Sequence, residues 1–447
     1  RLLRAAAGQP FGTAPRAKRV IMMFMGGGLS QLDLFDEKPL LNERRGEELP
    51  PSVRKGQRIT GVTEKQGTLA VVGAASKFTK YGKSGMSMSE WLPELGSIAD
   101  EITLIRSMRN DFILHEAATT FWFTGTGQLN RPSMGSWLTY GLGSMAKDLP
   151  DFVVMLSGSG GQPLHSRLWG AGFLPSKFQG VQFRNGADPV LYVSNPPGVD
   201  APLRKDMIDA VKELNEIEQQ STGDPEIAAR IAAYEMAFKM QTSVPDLVDI
   251  AKEDKKTLDL YGAKPGKASF ANNCLMARRL IERGSRFVLL CDRDWDHHFR
   301  IPTALKKKCD ECDRPAAALV KDLKQRGLLD DTIVIFCGEF GRTSYCEGPL
   351  TSQSYGRDHN SRVGALWIAG GGFKKGFTYG ETDDWGWDTV KDPAHVHDLQ
   401  ATVLQQLGVD HLKLVYRYLG RDFRLTDTGG RVLSDLITQP EAGAAKG

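Results

Sequence analysis

Two clusters of polar side chains combine residue types that bind ions and transfer protons. Glu339 and Arg342 follow the apolar run 332–336, and His359 comes shortly before the apolar run 365–369. Short runs of β-branched and aromatic residues are typical of buried strands. Because open α/β sheets place their chemistry beside strand ends, we expect the carboxylate, the guanidinium and the imidazole to share one site built from two loops.

A third cluster follows another apolar run, 287–290, which also predicts a strand. It reads CDRDWDHHFR and contributes Asp292, Asp294, Asp296, His297 and His298. Oxygen and imidazole ligands on several loops suit Zn, Mn, Mg or Ca, so these residues, with Glu339 and His359, predict a shared metal site. The alternative is that the two neighbouring histidines lie on a surface loop and Glu339 forms a structural ion pair with Arg342.

The composition is that of a globular chain with a large core. It has 447 residues, of which 41% are hydrophobic and 25% are charged. The net charge of +3 is spread along the chain, which does not indicate nucleic-acid binding. No apolar run approaches the roughly 18 residues that a bilayer-spanning helix needs, so no transmembrane segment is expected.

Strand and helix patterns alternate along the chain, which predicts an α/β fold. Strands are predicted at 19–25, 102–108, 151–156, 287–290, 332–336 and 365–369. Helices are predicted at 87–95, 115–125, 271–283, 303–326 and 398–407. A segment rich in Ala, Glu, Lys and Met at about 204–262, with breaks at 221–225 and near Pro245, predicts two or three inserted helices.

The start of the chain predicts an export leader. The chain begins with Arg rather than Met, and RLLRAAAGQP is basic and rich in alanine, as expected of the remains of such a leader. The alternative is an arbitrary boundary. We therefore expect 1–17 to be a leader remnant or tail, 18–447 to be a single domain, and the protein to be periplasmic or extracellular.

Two further motifs have structural and functional interpretations. Cys309 and Cys312 form a lone CxxC in a helical pattern with no second pair to complete a zinc site, which favours packing or one local disulfide. Trp385 and Trp387 flank a glycine, and either form a contact surface for a protein or glycan or pack in the core.

Five long motifs resemble the DUF1501 family, which is abundant in planctomycetes and belongs to the alkaline phosphatase-like/sulfatase superfamily. They are GGGLSQLDLFD, WDHH, DLKQRGLLDDTIVIFCGEFGRT, YGRDHN and HVHDLQATVLQQLGVDHLKLVYRYLGRDFRLTD. The resemblance covers nearly the whole chain. It implies a three-layer α/β/α sandwich of alkaline phosphatase-like fold, a site at the carboxyl ends of the strands, and export by a twin-arginine signal.

The resemblance also implies a metal set. Asp296 with His298 resembles one ligand cluster of the superfamily, and His359 resembles its last histidine. Glu339 stands where the aspartate of an Asp-His pair would be, and Phe340 stands where the histidine of that pair would be. This implies one divalent metal rather than two, held by some of these four polar residues.

His115 occupies the place of the superfamily's nucleophile, which is normally Ser, Thr or Cys. A second departure is glycine, at Gly26 or Gly27, where the first strand would end in an aspartate. Asp33 and Asp36 are possible substitutes for that aspartate. Thr119 and Thr120 are possible substitutes for the nucleophile.

Two mechanisms remain open for an enzyme. In one, His115 is a nucleophile or a general acid. In the other, metal-bound water attacks, with Glu339 as ligand or base. Arg342 would neutralise an anionic oxygen of the substrate in either mechanism.

The predicted function is therefore that of an exported hydrolase of phosphate or sulfate esters, including sulfated or phosphorylated glycans. The alternative function is a non-catalytic subunit that binds an exported protein partner or a glycan in a periplasmic or surface complex.

Overall fold

A central sheet organises the computed structural model, which describes residues 14–438 except 58, 185–188, 191–194, 196–197 and 352–353. Within that part, eight strands form the sheet: β1 Arg19–Met25, β2 Ile102–Ile105, β3 Phe152–Ser157, β4 Val181–Phe183, β5 Phe287–Asp292, β6 Thr332–Cys337, β7 Leu366–Ala369 and β8 Phe377–Tyr379. Their spatial order is β8-β2-β7-β6-β1-β5-β3-β4. Only β7 runs antiparallel to its neighbours. The sheet is therefore mostly parallel, and the predicted α/β fold class is confirmed.

Helices cover both faces of the sheet. The longer ones are α1 His115–Thr124, α2 Met134–Leu142, α3 Ala201–Thr222, α4 Pro225–Val248, α5 Lys255–Tyr261, α6 Phe270–Glu282, α7 Ile301–Gln325 and α8 Val396–Gln406. Short helices lie at Gln31–Leu34, Pro39–Glu43, Pro51–Arg54 and Pro93–Gly96. Helices α4, α6 and α7 contribute to the core on one face, and α1, α2 and α8 contribute to the core on the other.

Strand β1 contributes side chains to the hydrophobic cores on both faces of the sheet. Ile21 and Met23 pack with α6 and α7, whereas Met22 and Phe24 pack with α1 and α8. Side chains alternate between the faces of a strand, so a strand buried on both faces must be apolar throughout. The run RVIMMFM meets this requirement, and the predicted three-layer α/β/α sandwich is confirmed.

Two local predictions are wrong. The predicted helix at 87–95 is instead the strand Met86–Ser89, which pairs with Phe78–Tyr81, followed by the short helix Pro93–Gly96. The sequence MSMS buries both methionines on one side, and this period of two is that of a strand. The predicted break near Pro245 is also absent, because α4 continues for one more turn at the cost of one backbone hydrogen bond.

The leader remnant and the separate helical insertion remain predictions from the sequence. Most of the predicted leader remnant, 1–17, lies outside the described residues. Helices α3, α4 and α5 occupy the predicted insertion at 204–262, but its division from the rest of the domain stays a prediction. No helix in the described part of the chain is long and apolar enough to cross a membrane.

The cysteine and tryptophan motifs have packing roles. All six cysteines are buried and unpaired, including Cys309 and Cys312 of the CxxC motif. Trp387 is buried, and its ring centroid lies 5.9 Å from that of Tyr345. Trp385 is half-buried. The core interpretation of Trp387 is therefore confirmed.

Candidate metal centre

Four polar side chains from separate parts of the chain meet at the carboxyl edge of the sheet. His115 is the first residue of α1, Asp296 and His298 lie on the loop after β5, and His359 lies on the strand Gly356–Asn360, before β7. Since β7 is antiparallel to β6, its amino end lies at the edge where the parallel strands end. This topology brings together residues that are up to 244 positions apart in the sequence.

The glycines after β1 allow the β5 loop to approach closely. Gly27 has φ +124°, and a Cβ there would lie 2.4 Å from the backbone nitrogen of Asp296. The Gly27 N–H donates to Glu339 at 2.9 and 3.2 Å from the two carboxylate oxygens. Only glycine combines this backbone conformation with this close approach. The residue therefore positions both Asp296 and Glu339.

We expect Gly27→Ala to lower the free energy of unfolding by about 3 kcal/mol or more, because it adds an overlap with backbone to a strained φ. The measurement is urea unfolding of the full chain followed by circular dichroism. Gly61→Ala is the matched control, since a Cβ at Gly61 meets no atom of the described residues within 4 Å and its φ is ordinary. Equal stability of the two variants would contradict the role given to Gly27.

A β-hairpin positions His359. The strand Gly341–Glu347 pairs antiparallel with Gly356–Asn360, with Arg342 opposite His359 and an irregularity between Arg342 and Cys346. The His359 Nδ1 lies 2.8 Å from the carbonyl oxygen of Ile113. Because a carbonyl only accepts, Nδ1 carries the hydrogen and the lone pair of the neutral ring is on Nε2. That nitrogen faces the cluster.

The three histidines each direct their Nε2 atom toward the carboxylate of Asp296. His115 Nε2 lies 3.0 Å from Oδ2, His298 Nε2 lies 2.9 Å from Oδ1, and His359 Nε2 lies 3.4 Å from Oδ1. The Nε2 atoms of His298 and His359 are 3.0 Å apart. All four groups can contribute a ligand atom within 4.8 Å of the others.

The opposite nitrogens of the same imidazoles are held by acceptors. His115 Nδ1 lies 2.7 Å from Glu339 Oε1, and His298 Nδ1 lies 2.5 Å from Glu347 Oε2. With the Ile113 carbonyl on His359, every ring has an acceptor on Nδ1. Histidines that bind metals are oriented in this way by carboxylates or carbonyls on the nitrogen that faces away from the ion.

The arrangement fits a metal ion on two independent grounds. His115 Nε2 is buried and makes no hydrogen bond of acceptable geometry within the described part of the chain, although it lies close to Asp296. In addition, ligands about 2.0–2.1 Å from a tetrahedral zinc lie about 3.3 Å apart. The three separations among Asp296 Oδ1, His298 Nε2 and His359 Nε2 are 2.9–3.4 Å, close to this value, and His115 Nε2 lies 3.0 Å from the other oxygen, Oδ2.

Without an ion, the cluster holds extra protons. Burial lowers the pKa of His115, but the neighbouring carboxylates of Asp296 and Glu339 outweigh this effect and raise it to about 9. Burial also lowers the pKa of His298, and hydrogen bonds to Asp296 and Glu347 raise it to about 9. Burial and neighbouring positive charges lower the pKa of His359 to about 4. Burial would raise the pKa of Asp296, but its histidine partners hold it well below its usual range.

Arg342 is fully buried behind the cluster. Its Nη2 donates to Asp296 Oδ1 at 2.6 Å and also to the carbonyl of Gly27. The remaining donors bond to the carbonyls of Gly28 at 3.2 Å and Arg357 at 3.0 Å. The guanidinium has no exposed surface, so its position does not support the predicted contact with a substrate oxygen.

Phe340 forms an apolar wall of the site. Its ring centroid lies 4.6 Å from that of His359 and 5.2 Å from that of His115. The family resemblance implies the histidine of an Asp-His pair at this position. The Phe340 ring lies there instead and offers no nitrogen to a metal ion.

A second acidic group adjoins the cluster. His298, Glu347 and Asp358 also have possible ligand atoms within 4.8 Å of each other. The Asp358 carboxylate, however, accepts hydrogen bonds from the hydroxyl groups of Thr60 at 2.8 Å, of Tyr345 at 3.1 Å and of Thr63. This group is therefore better described as a support for His298.

Other acidic residues considered from the sequence have structural partners. Asp292 bonds to Lys308 Nζ at 2.6 Å, and Asp33 bonds to Arg357 Nε at 2.8 Å. Asp36 lies 3.3 Å from Lys38 Nζ. These pairs explain why the residues are buried without an ion.

The structure brings together Asp296, His298 and His359, as the predicted ligand set requires. It also places His115 among the ligand atoms, and places Glu339 behind His115 with 1% of its surface exposed. The sequence reasoning missed Glu347 and the Ile113 carbonyl. Only the pairing of the hairpin could have indicated Glu347, and a backbone carbonyl leaves no mark in a sequence.

Fold and site together define a three-layer α/β/α protein with a histidine- and aspartate-lined candidate metal centre. The chain belongs to the DUF1501 family, described as "Protein of unknown function", whose model matches residues 17–437. No curated protein sequence matches the chain.

Similar solved structures are matched at low identity. One is a protein in the alkaline phosphatase superfamily from Vibrio parahaemolyticus (TM-score 0.38, 11% identity, covering 90% of this chain and 69% of that one). Another is the PsFucS1 sulfatase from Pseudoalteromonas sp. (0.36, 12%, 88% and 68%). A third is the lipoteichoic acid synthase LtaP from Listeria monocytogenes (0.34, 11%, 89% and 74%).

Proposed function

We propose that this protein is a single-metal hydrolase of phosphate or sulfate esters. The observation that carries the proposal is the convergence of three imidazole Nε2 atoms on one carboxylate, Asp296, with separations of 2.9–3.4 Å. A divalent ion in such a set lowers the pKa of water and polarises ester oxygens, which is the chemistry that hydrolysis requires. The ester class rests on the resemblance of the sequence motifs to the alkaline phosphatase-like superfamily.

In this proposal the ligands are His115, Asp296, His298 and His359. Glu339 is a positioning residue, because its carboxylate bonds to His115 and to backbone rather than facing the ligand atoms. Glu347 positions His298 in the same manner. Arg342 holds the Asp296 carboxylate against the glycine turn.

The donor set favours zinc or a similar transition metal. Three imidazole nitrogens and one carboxylate oxygen suit Zn²⁺, whereas Mg²⁺ and Ca²⁺ prefer sites made of oxygen ligands. Mn²⁺ is intermediate in this respect. Of the four metals predicted from the sequence, we therefore propose Zn²⁺ first.

The geometry favours water over a side chain as the nucleophile. Both nitrogens of His115 face carboxylates, Nδ1 toward Glu339 and Nε2 toward Asp296. Thr119 and Thr120 are buried, and the Thr120 hydroxyl donates to the Glu116 carbonyl at 2.6 Å. The side chains of Asp296 and His298 keep 22% and 24% of their surface exposed, so a small molecule can approach the cluster from that side.

The substrate and compartment follow from the sequence interpretation. We propose an anionic ester, including a sulfated or phosphorylated glycan, as substrate. We also propose export to the periplasm or beyond, supported by the basic, alanine-rich start of the chain.

A second function is favoured by one feature of the site. Four protein ligands are typical of structural zinc, whereas catalytic zinc usually has three and an open position. A non-catalytic subunit that holds its metal for stability, and binds a partner protein or glycan, is therefore the second candidate.

The deciding experiment measures metal content and ester cleavage on the same preparation. We expect about one equivalent of zinc by mass spectrometry of the purified protein, and turnover of an aryl phosphate or aryl sulfate that stops on chelation and returns with zinc. Zinc without turnover on a panel of such esters would support the second candidate. Failure to bind any divalent ion would rule out both.

Metal binding is expected to release about two protons per ion near pH 7.5. His115 and His298 have a pKa of about 9 without an ion, so both are protonated and must lose that proton to become ligands. Because protons compete with the ion, the apparent affinity should rise between pH 6 and 9. Calorimetric titration in buffers of different ionisation enthalpy measures the proton count, and a buffer-independent heat would contradict the ligand assignment.

A further inference from the structure

Helix α3 presents its apolar side to solvent. Five apolar side chains on it are exposed: Leu203, Met207, Val211, Leu214 and Ile217. Leu214 and Ile217 expose 68% and 66% of their surface. Scattered exposed hydrophobic residues are ordinary, but a continuous row along about four turns of one helix indicates a binding surface.

The side of α3 that packs against its own chain is mostly polar. The half-buried positions include Ile208, Lys212, Asn215 and Gln219, and Lys212 Nζ forms an ion pair with Glu235 of α4 at 2.8 Å. A helix that folds only with its own chain buries its apolar stripe. Helix α3 instead buries a mostly polar side and exposes its apolar side. The exposed apolar side is therefore a candidate surface for contact with another chain.

Part of this exposed row has the spacing of a coiled-coil seam. Leu203, Met207, Leu214 and Ile217, together with the exposed Ala210, follow alternating steps of four and three, and Val211 lies beside them. The alternating steps place the first five residues at the a and d positions of consecutive heptads. Helix α4 packs on the opposite side, at the b and f positions, and so leaves the seam open.

We infer that α3 pairs with α3 of a second copy of this chain in an antiparallel coiled coil. In that register Leu214 lies opposite Ala210 of the partner subunit, and Met207 lies opposite Ile217 of the partner subunit, so large side chains meet smaller or complementary ones. The exposed seam covers on the order of 400–500 Å² per copy. Two copies together reach about 1,000 Å², the size at which specific interfaces begin.

The charges beside the seam select the antiparallel direction. Arg204 at an e position faces Glu218 of the partner subunit, and the two-fold symmetry makes this pair twice. The Arg204 side chain is half-buried at the margin of the face that packs on α4, so it flanks the seam rather than lying in it. A parallel pair would instead place Glu213 opposite Glu218 of the partner subunit twice, which is repulsive. The antiparallel pair has one such contact, between the two copies of Glu213.

The test is sedimentation equilibrium of the full chain at 1–100 μM. We expect a mass twice the 49.2 kDa of one chain. Leu214→Lys should raise the dimer dissociation constant at least about 100-fold, because it places a charge in the seam. The control Leu412→Lys, at another site that is 53% exposed, should leave it unchanged.

A charge exchange tests the register. Arg204→Glu and Glu218→Arg should each weaken the dimer about five- to tenfold, and the double variant should return to within about twofold of the original. Circular dichroism verifies that each variant is folded. A monomer at 100 μM, including one whose α3 binds a different protein, would overturn the inference, and so would a double variant that remains as weak as the single ones.

Discussion

Replacing Asp296 by asparagine is expected to lower the affinity for zinc at least about 1,000-fold. Loss of groups that only orient a ligand costs 10- to 100-fold, and Asp296 lies within 3.4 Å of the Nε2 atom of each of three histidines. The amide keeps the shape of the side chain and removes its charge. The measurement is competition for zinc with a chromophoric chelator, and turnover of the aryl ester should fall in parallel.

The same substitution should also weaken the fold without metal. Arg342 keeps its bonds to the carbonyls of Gly27, Gly28 and Arg357 but loses its anionic partner. Removing one member of a buried ion pair costs about 3 kcal/mol. Measuring urea unfolding in the presence of a chelator separates this loss from the loss of metal.

Asp294→Asn is the matched control for Asp296→Asn. Asp294 lies on the same loop, accepts a hydrogen bond from the Ser159 backbone at 3.0 Å, and has φ +73°, which asparagine tolerates. The Asp294→Asn variant should bind zinc with the affinity of the original protein. Stoichiometric, tightly held zinc in the Asp296 variant would contradict the ligand assignment.

The fold could be predicted from the sequence because its strands are buried on both faces. RVIMMFM and TIVIFC have no polar interruption, and glycine follows both. Their apolar runs therefore indicate length and position at once. Met86–Ser89 could not be predicted in this way, because its alternation spans only four residues and a helix starts shortly after it.

The candidate site could be predicted only as a set of residues. The sequence shows that Asp296, His298, Glu339 and His359 follow or precede strands, but it does not show which atom of each faces the centre. The hairpin pairing and the glycine turn at Gly27 decide this, since they direct Glu339 toward His115. The proposed roles, ligand for His115 and support for Glu339, therefore rest on the contacts that the structure shows.

The sequence of helix α3 also predicts less than the structure shows about its surface. Its heptad spacing is present in the sequence, but this pattern predicts burial without specifying the occupant. Only the position of α4 on the polar side leaves the apolar side open. A heptad pattern can therefore predict a helix correctly without indicating what covers its apolar side.

Glu339→Gln distinguishes the structural assignment from the role predicted from the sequence. If Glu339 is a positioning residue, the amide weakens the orientation of His115, and zinc affinity falls about 10- to 100-fold. Turnover should then be low at limiting zinc and recover to within about fivefold of the original when zinc saturates the site. If Glu339 is a ligand or general base, saturation with zinc restores the ion but not turnover.

Glu347→Gln provides the matched comparison, because Glu347 bonds to His298 as Glu339 bonds to His115. Two positioning carboxylates should give similar losses of zinc affinity and similar recovery at saturating zinc. The measurement is turnover as a function of free zinc concentration in a metal buffer, for both variants and the original protein. If only the Glu339 variant fails to recover, Glu339 takes part in the reaction itself, and the supporting role inferred from its contacts with Gly27 and His115 is wrong.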